Sequence, residues 1–138
     1  MITLVNGTET DQVSVADRGF QYGDGLFETI AVHHGKPLLW AGHIQRLRGG
    51  CERLQLDMPD EALLLQEVVH VVGDAQRAVA KITVTHGPAG RGYARVAWSP
   101  PTRVVGARHW PNTPVMYARD GVADGSSDAA LSDSPCRA

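Results

Sequence analysis

The stretch "DRGFQYGDGLFETI", residues 17–30, joins a glycine-rich segment to a run of residues that favour strands. Gly19, Gly23 and Gly25 can adopt a positive φ or let another group approach the main chain closely. Residues 26–32 are rich in the apolar and β-branched types that occur in strands. The pattern predicts a pliable loop that feeds a stiff strand, as site loops on sheets often do. A tight connection that needs glycine for its own geometry explains these residues equally well.

A β-hairpin is predicted on each side of this loop. The run "ITLVNGTETDQVSV", residues 2–15, sets two short β-prone segments around Asn6-Gly7, the dipeptide that type I′ turns favour. In "LFETIAVHHGKPLL", residues 26–39, Gly35 marks the turn of a second hairpin. The chain is therefore expected to open with two hairpins.

An amphipathic helix is predicted over "AGHIQRLRGGCERLQL", residues 41–56. Gly49 and Gly50 should loosen it, because each costs up to about 1 kcal/mol relative to alanine in a helix. The apolar residues that recur at helical spacing are Ile44, Leu47, Cys51 and Leu54.

A second helix is predicted within "DMPDEALLLQEVVHVVGDA", residues 57–75. Asp57 is the candidate N-cap, and Pro59 and the acidic residues after it suit a first turn. The helix is expected to run to about Gly73, since glycine commonly ends helices.

Three strands are predicted next, over residues 78–87, 93–99 and 102–110, separated by glycine- and proline-rich segments. Two hairpins, two helices and a run of strands predict an α+β fold with a mostly antiparallel sheet. We expect this domain to occupy residues 1–118. Residues 119–138, "RDGVADGSSDAALSDSPCRA", contain few large apolar side chains and are predicted to be an interdomain linker or altered tail.

Composition argues against several classes of partner. The 138 residues suit one domain, and 13 basic against 15 acidic side chains give no reason to expect nucleic-acid or membrane binding. Only Cys51 and Cys136 are present, and the N-terminus shows neither a basic region nor a long apolar run. We expect a cytoplasmic, reduced protein.

Motifs for nucleotides and metals are not expected. Gly23 and Gly25 are followed by Glu28 where a dinucleotide fingerprint has its third glycine, and no Gly-Lys-Ser/Thr follows any glycine run. The six histidines are scattered without a Cys pair or a second His at i+4, so no metal site is predicted.

Two arginines are candidates for anion binding. Arg46 lies at the edge of the first helix's apolar stripe, where its guanidinium can reach an anion while its stem packs. A solvated arginine paired with Glu52 or another acid is the simpler alternative. Arg91, close to Tyr93 in "GPAGRGYAR", suits a carboxylated substrate, although an exposed hairpin tip has the same composition.

The chain has two lysines. Lys36 follows a turn glycine and is expected to be exposed. Lys81 is flanked by apolar residues in a predicted inner strand, which makes it a nominal Schiff-base candidate, because burial activates an amine. Lysines on edge strands are common, so this position alone decides little.

Three segments, in order and spacing, resemble the N-terminal domain of the class IV pyridoxal-phosphate aminotransferase superfamily, over roughly residues 2–110. They are "DRGFQYGDGLFETI", "GKPLLWAGHIQRLRGGCERL" and "KITVTHGPAGRGYA". The run D-R-G-x-x-x-G-D-G-x-[FY]-E is specific to the superfamily, and H-I-x-R-L strengthens the resemblance. The "GRGY" segment favours its aminodeoxychorismate lyase branch over the D-amino-acid and branched-chain aminotransferases.

The resemblance implies the N-terminal domain of a fold-type IV enzyme, in which the glycine loop and the next strand line a cleft between two domains. Arg46 would hold the 5′-phosphate of pyridoxal 5′-phosphate. Phe27 and Glu28 would stand on the strand that faces the cleft and contact the substrate. Arg91 and Tyr93 would lie on a loop that meets the substrate's carboxylates.

The resemblance places the Schiff-base lysine in the second domain, in a segment of the type "GIKHLNR" that does not occur here. That lysine is therefore expected beyond Ala138, Lys81 is not its counterpart, and no catalytic residue is expected in this chain. The second domain is expected to be missing.

For the intact protein the resemblance implies a lyase of folate biosynthesis that converts 4-amino-4-deoxychorismate to 4-aminobenzoate and pyruvate, as a homodimer acting on a small molecule. A D-amino-acid or branched-chain aminotransferase is the alternative enzyme. A non-catalytic truncated fragment is the alternative from another class.

Overall fold

The computed structural model describes residues 2–88 and 100–111 of the chain. Within these residues, six strands form a single sheet and three helices accompany it. The elements are β1 (Thr3–Val5), β2 (Thr8–Glu9), α1 (Arg18–Tyr22), β3 (Gly25–His33), β4 (Lys36–Pro37), α2 (Trp40–Leu54), α3 (Glu61–Val72), β5 (Arg77–Thr85) and β6 (Thr102–His109).

The sheet has the strand order β2-β1-β6-β5-β3-β4, and each neighbouring pair is antiparallel. The longest pairing joins β3 to β5, from Gly25 opposite Thr85 to His33 opposite Arg77. The first strand lies beside the last described one, because β1 pairs with β6. The prediction of an α+β fold with a mostly antiparallel sheet is therefore confirmed.

The two faces of the sheet have different surroundings. Helices α2 and α3 pack on one face, where Ile30, Ile82 and Val105 from three strands are fully buried with Leu47 and Leu64 from the helices. Successive strand residues point to opposite faces. We call the other side, formed by the residues of β3, β5 and β6 that point away from α2 and α3, the open face.

Both predicted turns are present, but the strands that follow them are short. Asn6 and Gly7 both have positive φ, 51° and 85°, as a type I′ turn requires. The second turn uses His34 with Gly35, at 48° and 70°. Strands β2 and β4 have two residues each, so the long partner of β3 is β5 rather than its own hairpin arm.

The stretch predicted as a loop contains a short helix. Asp17 caps α1 by accepting a hydrogen bond from the Gly19 N–H, and Gly23 ends it with φ 65°. The sequence marks this helix by its capping residues and not by a repeat of apolar residues. Because the prediction relied on apolar periodicity, it missed α1.

The start predicted for α3 was wrong by three residues. The N-cap of α3 is Asp60, whose carboxylate accepts from the Leu63 N–H, and not Asp57. Asp60 itself has an extended backbone, with ψ 130°, so the helix begins after it. Its end at Gly73 is as predicted.

Helix α2 runs through both of its glycines without a break. A Cβ built on Gly50 would come within 2.4 Å of the Leu26 Cδ1 atom on β3, whereas one on Gly49 meets nothing within 4 Å. Gly50 therefore leaves room for the Leu26 side chain against the helix. The predicted stripe is confirmed, since Ile44, Leu47 and Cys51 are buried.

Strands β5 and β6 confirm the predictions over residues 78–87 and 102–110 to within two residues. The predicted strand at 93–99 and the predicted linker at 119–138 lie outside the described residues. No helix in the described part of the chain is long and apolar enough to cross a membrane.

Candidate functional site

The glycines of the opening stretch serve both local geometry and a concave surface. Gly19 has no room for a side chain, because a Cβ there would lie 2.2 Å from the Cγ2 atom of Thr85. Gly25 would similarly meet the Val84 carbonyl oxygen at 2.6 Å. Gly23 supplies the left-handed conformation that ends α1. The explanation that this connection needs glycine for its own geometry is therefore confirmed, and the role of the loop in a site stays a prediction.

Two carboxylates of the loop tie it to the end of β5. The Thr85 hydroxyl donates to Oδ2 of Asp17 over 2.9 Å. Arg18 Nε donates to Oδ2 of Asp24 over 2.7 Å, and Nδ1 of His86 lies 2.9 Å from the other carboxylate oxygen of Asp24. These acids are engaged in holding the loop in place rather than free for chemistry.

The environment of Asp24 favours its charged form. Burial alone would raise the pKa of Asp24, but hydrogen bonds and charges from Arg18 and His86 outweigh it and hold the pKa below its ordinary value of 3.8. The ionised carboxylate therefore stabilises the loop.

An open pocket of about 410 Å³ lies between this loop and the open face. The loop forms one wall of this pocket and the sheet forms its floor. Its lining includes Gly19, Phe20, Gly23, Gly25, Phe27 and Thr83.

Phe27 and Lys81 meet on the open face. The Lys81 Nζ atom lies 4.3 Å from the centroid of the Phe27 ring, a cation–π geometry. Lys81 belongs to an inner strand, as predicted, but it is exposed, because it points away from α2 and α3. The burial that made it a Schiff-base candidate is therefore absent.

Phe27 and Glu28 point to opposite faces of β3. Phe27 is 59% exposed on the open face, and Glu28 is 3% exposed on the helix side. Because adjacent strand residues alternate, the two side chains predicted to contact the substrate lie on opposite sides of β3.

Glu28 joins two side chains of α2. Arg46 donates through Nε to Oε1 of Glu28 over 2.7 Å and through Nη2 to Oε2. Nδ1 of His43 lies 2.7 Å from the same Oε2. We call Glu28, His43 and Arg46 the α2–β3 polar cluster.

Electrostatics in the α2–β3 polar cluster favours the ion pair. Burial would raise the pKa of Glu28, but the hydrogen bonds and charges of Arg46 and His43 outweigh it, so the pKa lies below its usual 4.5. The hydrogen bond to Glu28 and its negative charge raise the pKa of Arg46. The carboxylate is therefore held as an acceptor and the guanidinium as a donor.

The Arg46 side chain is 70% exposed, which agrees with the solvated alternative rather than with a packed stem. Its acidic partner is Glu28, not Glu52, because the helix face that carries Arg46 lies against β3. Sequence reasoning missed His43, although its spacing of three residues from Arg46 puts both on one helix face. Arg91 lies outside the described residues, as does Tyr93.

Metal binding and thiol chemistry find little support in the described residues. Among residues 2–88 and 100–111, no three His, Cys, Asp or Glu side chains are grouped as a metal would need. Cys51 is a free thiol in the core, and burial raises its pKa.

Comparison with known proteins gives the family. The sequence profile of the amino-transferase class IV family matches residues 25–136. The chain belongs to this family. The class IV match includes β3, α2 and therefore the whole α2–β3 polar cluster. It also includes Arg91 and Tyr93.

Among class IV structures, that of 4-amino-4-deoxychorismate lyase from Pseudomonas aeruginosa is similar, with 41% identity and a TM-score of 0.77 over 88% of this chain and 44% of the other. An aminodeoxychorismate lyase from Vibrio harveyi is 30% identical over 95% of this chain and 48% of its own length. A putative branched-chain-amino-acid aminotransferase from Methanocaldococcus jannaschii is 34% identical over 63% of this chain and 33% of its length. The chain thus spans about half the length of the lyases that it matches.

Proposed function

We propose that this chain forms the N-terminal half of an aminodeoxychorismate lyase that uses pyridoxal 5′-phosphate. The observation that carries the cofactor assignment is the Arg46 guanidinium, which Glu28 holds in place while 70% of the side chain stays exposed. The choice of the lyase over other class IV activities rests on the lyase relatives, whose similarity extends over most of this chain.

The α2–β3 polar cluster fits the phosphate end of the cofactor. A guanidinium has five N–H donors, and Glu28 engages two of those of Arg46. The remaining donors can form charge-assisted hydrogen bonds with a phosphate, which suits the planar fork of arginine. Glu28 contributes by fixing the direction in which these donors point.

The described residues offer no suitable lysine for the aldehyde group of the cofactor. The two lysines of the chain, Lys36 and Lys81, belong to the side of the sheet opposite Glu28, as the pairing of His33 with Lys36 and of Thr29 with Lys81 indicates. When bound, pyridoxal phosphate supplies an electron sink for the carbanion formed at the substrate. The lysine that moves the proton is proposed to lie in a second domain beyond this chain.

The open face is positively charged. None of the residues of β3, β5 and β6 that point to this face is Asp or Glu, whereas Arg77, Lys81 and Arg108 all do so. Because this face lies opposite Glu28, these cations are not beside the phosphate that Arg46 is proposed to hold. Phe27 and Glu28 stay predicted contacts of the substrate. Arg91 and Tyr93 remain predicted partners of the substrate's carboxylates.

The test of this function uses the longest polypeptide that the reading frame encodes. Equal amounts of 4-aminobenzoate and pyruvate formed from 4-amino-4-deoxychorismate would support the lyase. Keto acids from D-alanine or leucine without 4-aminobenzoate would favour the aminotransferase alternative. Phosphate-dependent cofactor binding without either product would favour the non-catalytic fragment. The cytoplasmic location and the homodimer stay predictions, which fractionation and light scattering of the same polypeptide would check.

A further inference from the structure

His43 lies one turn before Arg46 on α2 and shares its acidic partner. The Nδ1 atom of His43 is 2.7 Å from Oε2 of Glu28, and Nη2 of Arg46 reaches the same oxygen. Nη2 of Arg46 is also 3.3 Å from Nδ1 of His43. The two side chains therefore stand next to each other with one carboxylate behind them.

The hydrogen bond to Glu28 occupies one ring nitrogen of His43 and leaves the other for a ligand. An ionised carboxylate only accepts hydrogen bonds, so Nδ1 must carry a proton and donate to it. The guanidinium of Arg46 is also a donor. It lies close to Nδ1 because both groups contact the same carboxylate oxygen. The remaining nitrogen, Nε2, is directed away from Glu28 because the two nitrogens lie on different sides of the ring.

The Nε2 atom is open to solvent. Nε2 of His43 has no hydrogen-bond partner in the described part of the chain. Every side-chain nitrogen or oxygen that is fully buried there does have a partner, so Nε2 is not fully buried. It is therefore accessible to water, although only 17% of the His43 side chain is exposed. A nearly buried imidazole thus presents one polar atom beside an exposed guanidinium.

We propose that His43 is a second binding residue for the phosphate group of the cofactor, acting beside Arg46 with its orientation set by Glu28. One proton lies between Nε2 and a phosphate oxygen. An imidazolium donates it to a phosphate dianion, or a phosphate monoanion donates its O–H to the neutral ring. In both cases the hydrogen bond is charge-assisted. This inference rests on the proposed function, because it takes the phosphate to be that of pyridoxal phosphate.

His43→Asn isolates the Nε2 atom. An asparagine amide N–H can replace Nδ1–H as donor to Glu28, whereas the shorter side chain has no counterpart of Nε2. Loss of one charge-assisted hydrogen bond should weaken binding of pyridoxal phosphate about tenfold and leave binding of pyridoxal unchanged. His70→Asn, on the exposed side of α3, is the matched control.

Quenching of tryptophan fluorescence measures both affinities in the purified chain, since Trp40 begins α2. The ¹⁵N resonance of His43 Nε2 should also shift with pyridoxal phosphate and not with pyridoxal. Thermal unfolding of each variant shows that the fold is retained.

Four outcomes decide the inference. A selective loss of pyridoxal phosphate affinity in both His43→Asn and Arg46→Ala supports it. A loss in Arg46→Ala alone overturns the role of His43 and leaves the proposed function in place. Equal loss for pyridoxal means that His43 is only structural. No preference of the wild-type chain for pyridoxal phosphate over pyridoxal overturns both the inference and the cofactor site.

Discussion

The Arg46 Nε atom lies 2.7 Å from Oε1 of Glu28, so one ion pair spans the interface between α2 and β3. The two partners differ in exposure, with 3% of the Glu28 side chain and 70% of the Arg46 side chain open to solvent. The carboxylate is therefore fixed in the protein interior, while the guanidinium that it orients remains available at the surface.

Glu28→Gln should reduce the acid sensitivity of the fold. The folded-state pKa of Glu28 lies below its ordinary value of 4.5, so its ionised form adds stability above pH 4.5, and that stability is lost as pH falls through the folded-state pKa. The variant should be less stable than wild type near neutral pH by about 1–3 kcal/mol, and the difference should shrink as the pH falls below 4.5. Urea unfolding at neutral and at acidic pH measures it. Glu52→Gln, at an exposed position of α2, is the control, and an equal effect there would contradict the prediction.

Asp24→Asn should destabilise the glycine loop. Arg18 is 3% exposed and donates to Asp24, so replacing the carboxylate removes a nearly buried ion pair. We expect a loss of about 3 kcal/mol in the free energy of unfolding. Urea unfolding beside Asp11→Asn, an exposed acid, checks this. A loss no larger than that of the control would mean that Asp24 does not hold the loop.

Gly49→Ala should be more stable than Gly50→Ala. Both gain helix propensity of up to about 1 kcal/mol, and a Cβ on Gly49 meets open space. A Cβ on Gly50 would collide with the Leu26 Cδ1 atom, and overpacking costs about 1–3 kcal/mol. Thermal unfolding should therefore rank Gly49→Ala above wild type and Gly50→Ala below Gly49→Ala. The same stability for both variants would show that the Leu26 side chain or α2 moves to make room for the added methyl group.

Lys81 should not become a specific attachment site for the cofactor. Its amine is exposed over the Phe27 ring, on the opposite side of the sheet from Glu28 and its partner Arg46. Incubation with pyridoxal phosphate, reduction with borohydride and peptide mapping should give no more adduct on Lys81 than on the exposed Lys36. A stoichiometric adduct on Lys81 with formation of 4-aminobenzoate would show that the active lysine lies in this chain.

Local features of the fold could be predicted because their causes are near in sequence. A turn at Asn6-Gly7 requires two positive φ angles, which these residue types accept. The stripe of Ile44, Leu47 and Cys51 follows from helical periodicity alone. The short helix α1 and the N-cap of α3 were missed, since several nearby acids offer equivalent capping signals and the choice among them depends on backbone geometry.

The candidate site was predictable as a set of segments and not as a set of contacts. The sequence by itself determined that the glycine stretch precedes a strand, that an amphipathic helix carries Arg46, and that the whole resembles class IV enzymes. Only the tertiary structure decided that β3 pairs with β5 along its full length, that Phe27 and Glu28 face opposite ways, and that Glu28 is the partner of Arg46. The physical reason is that strand pairing and ion pairing join residues far apart in the chain, so they depend on how helices and strands pack, whereas turns and helical periodicity depend on neighbours.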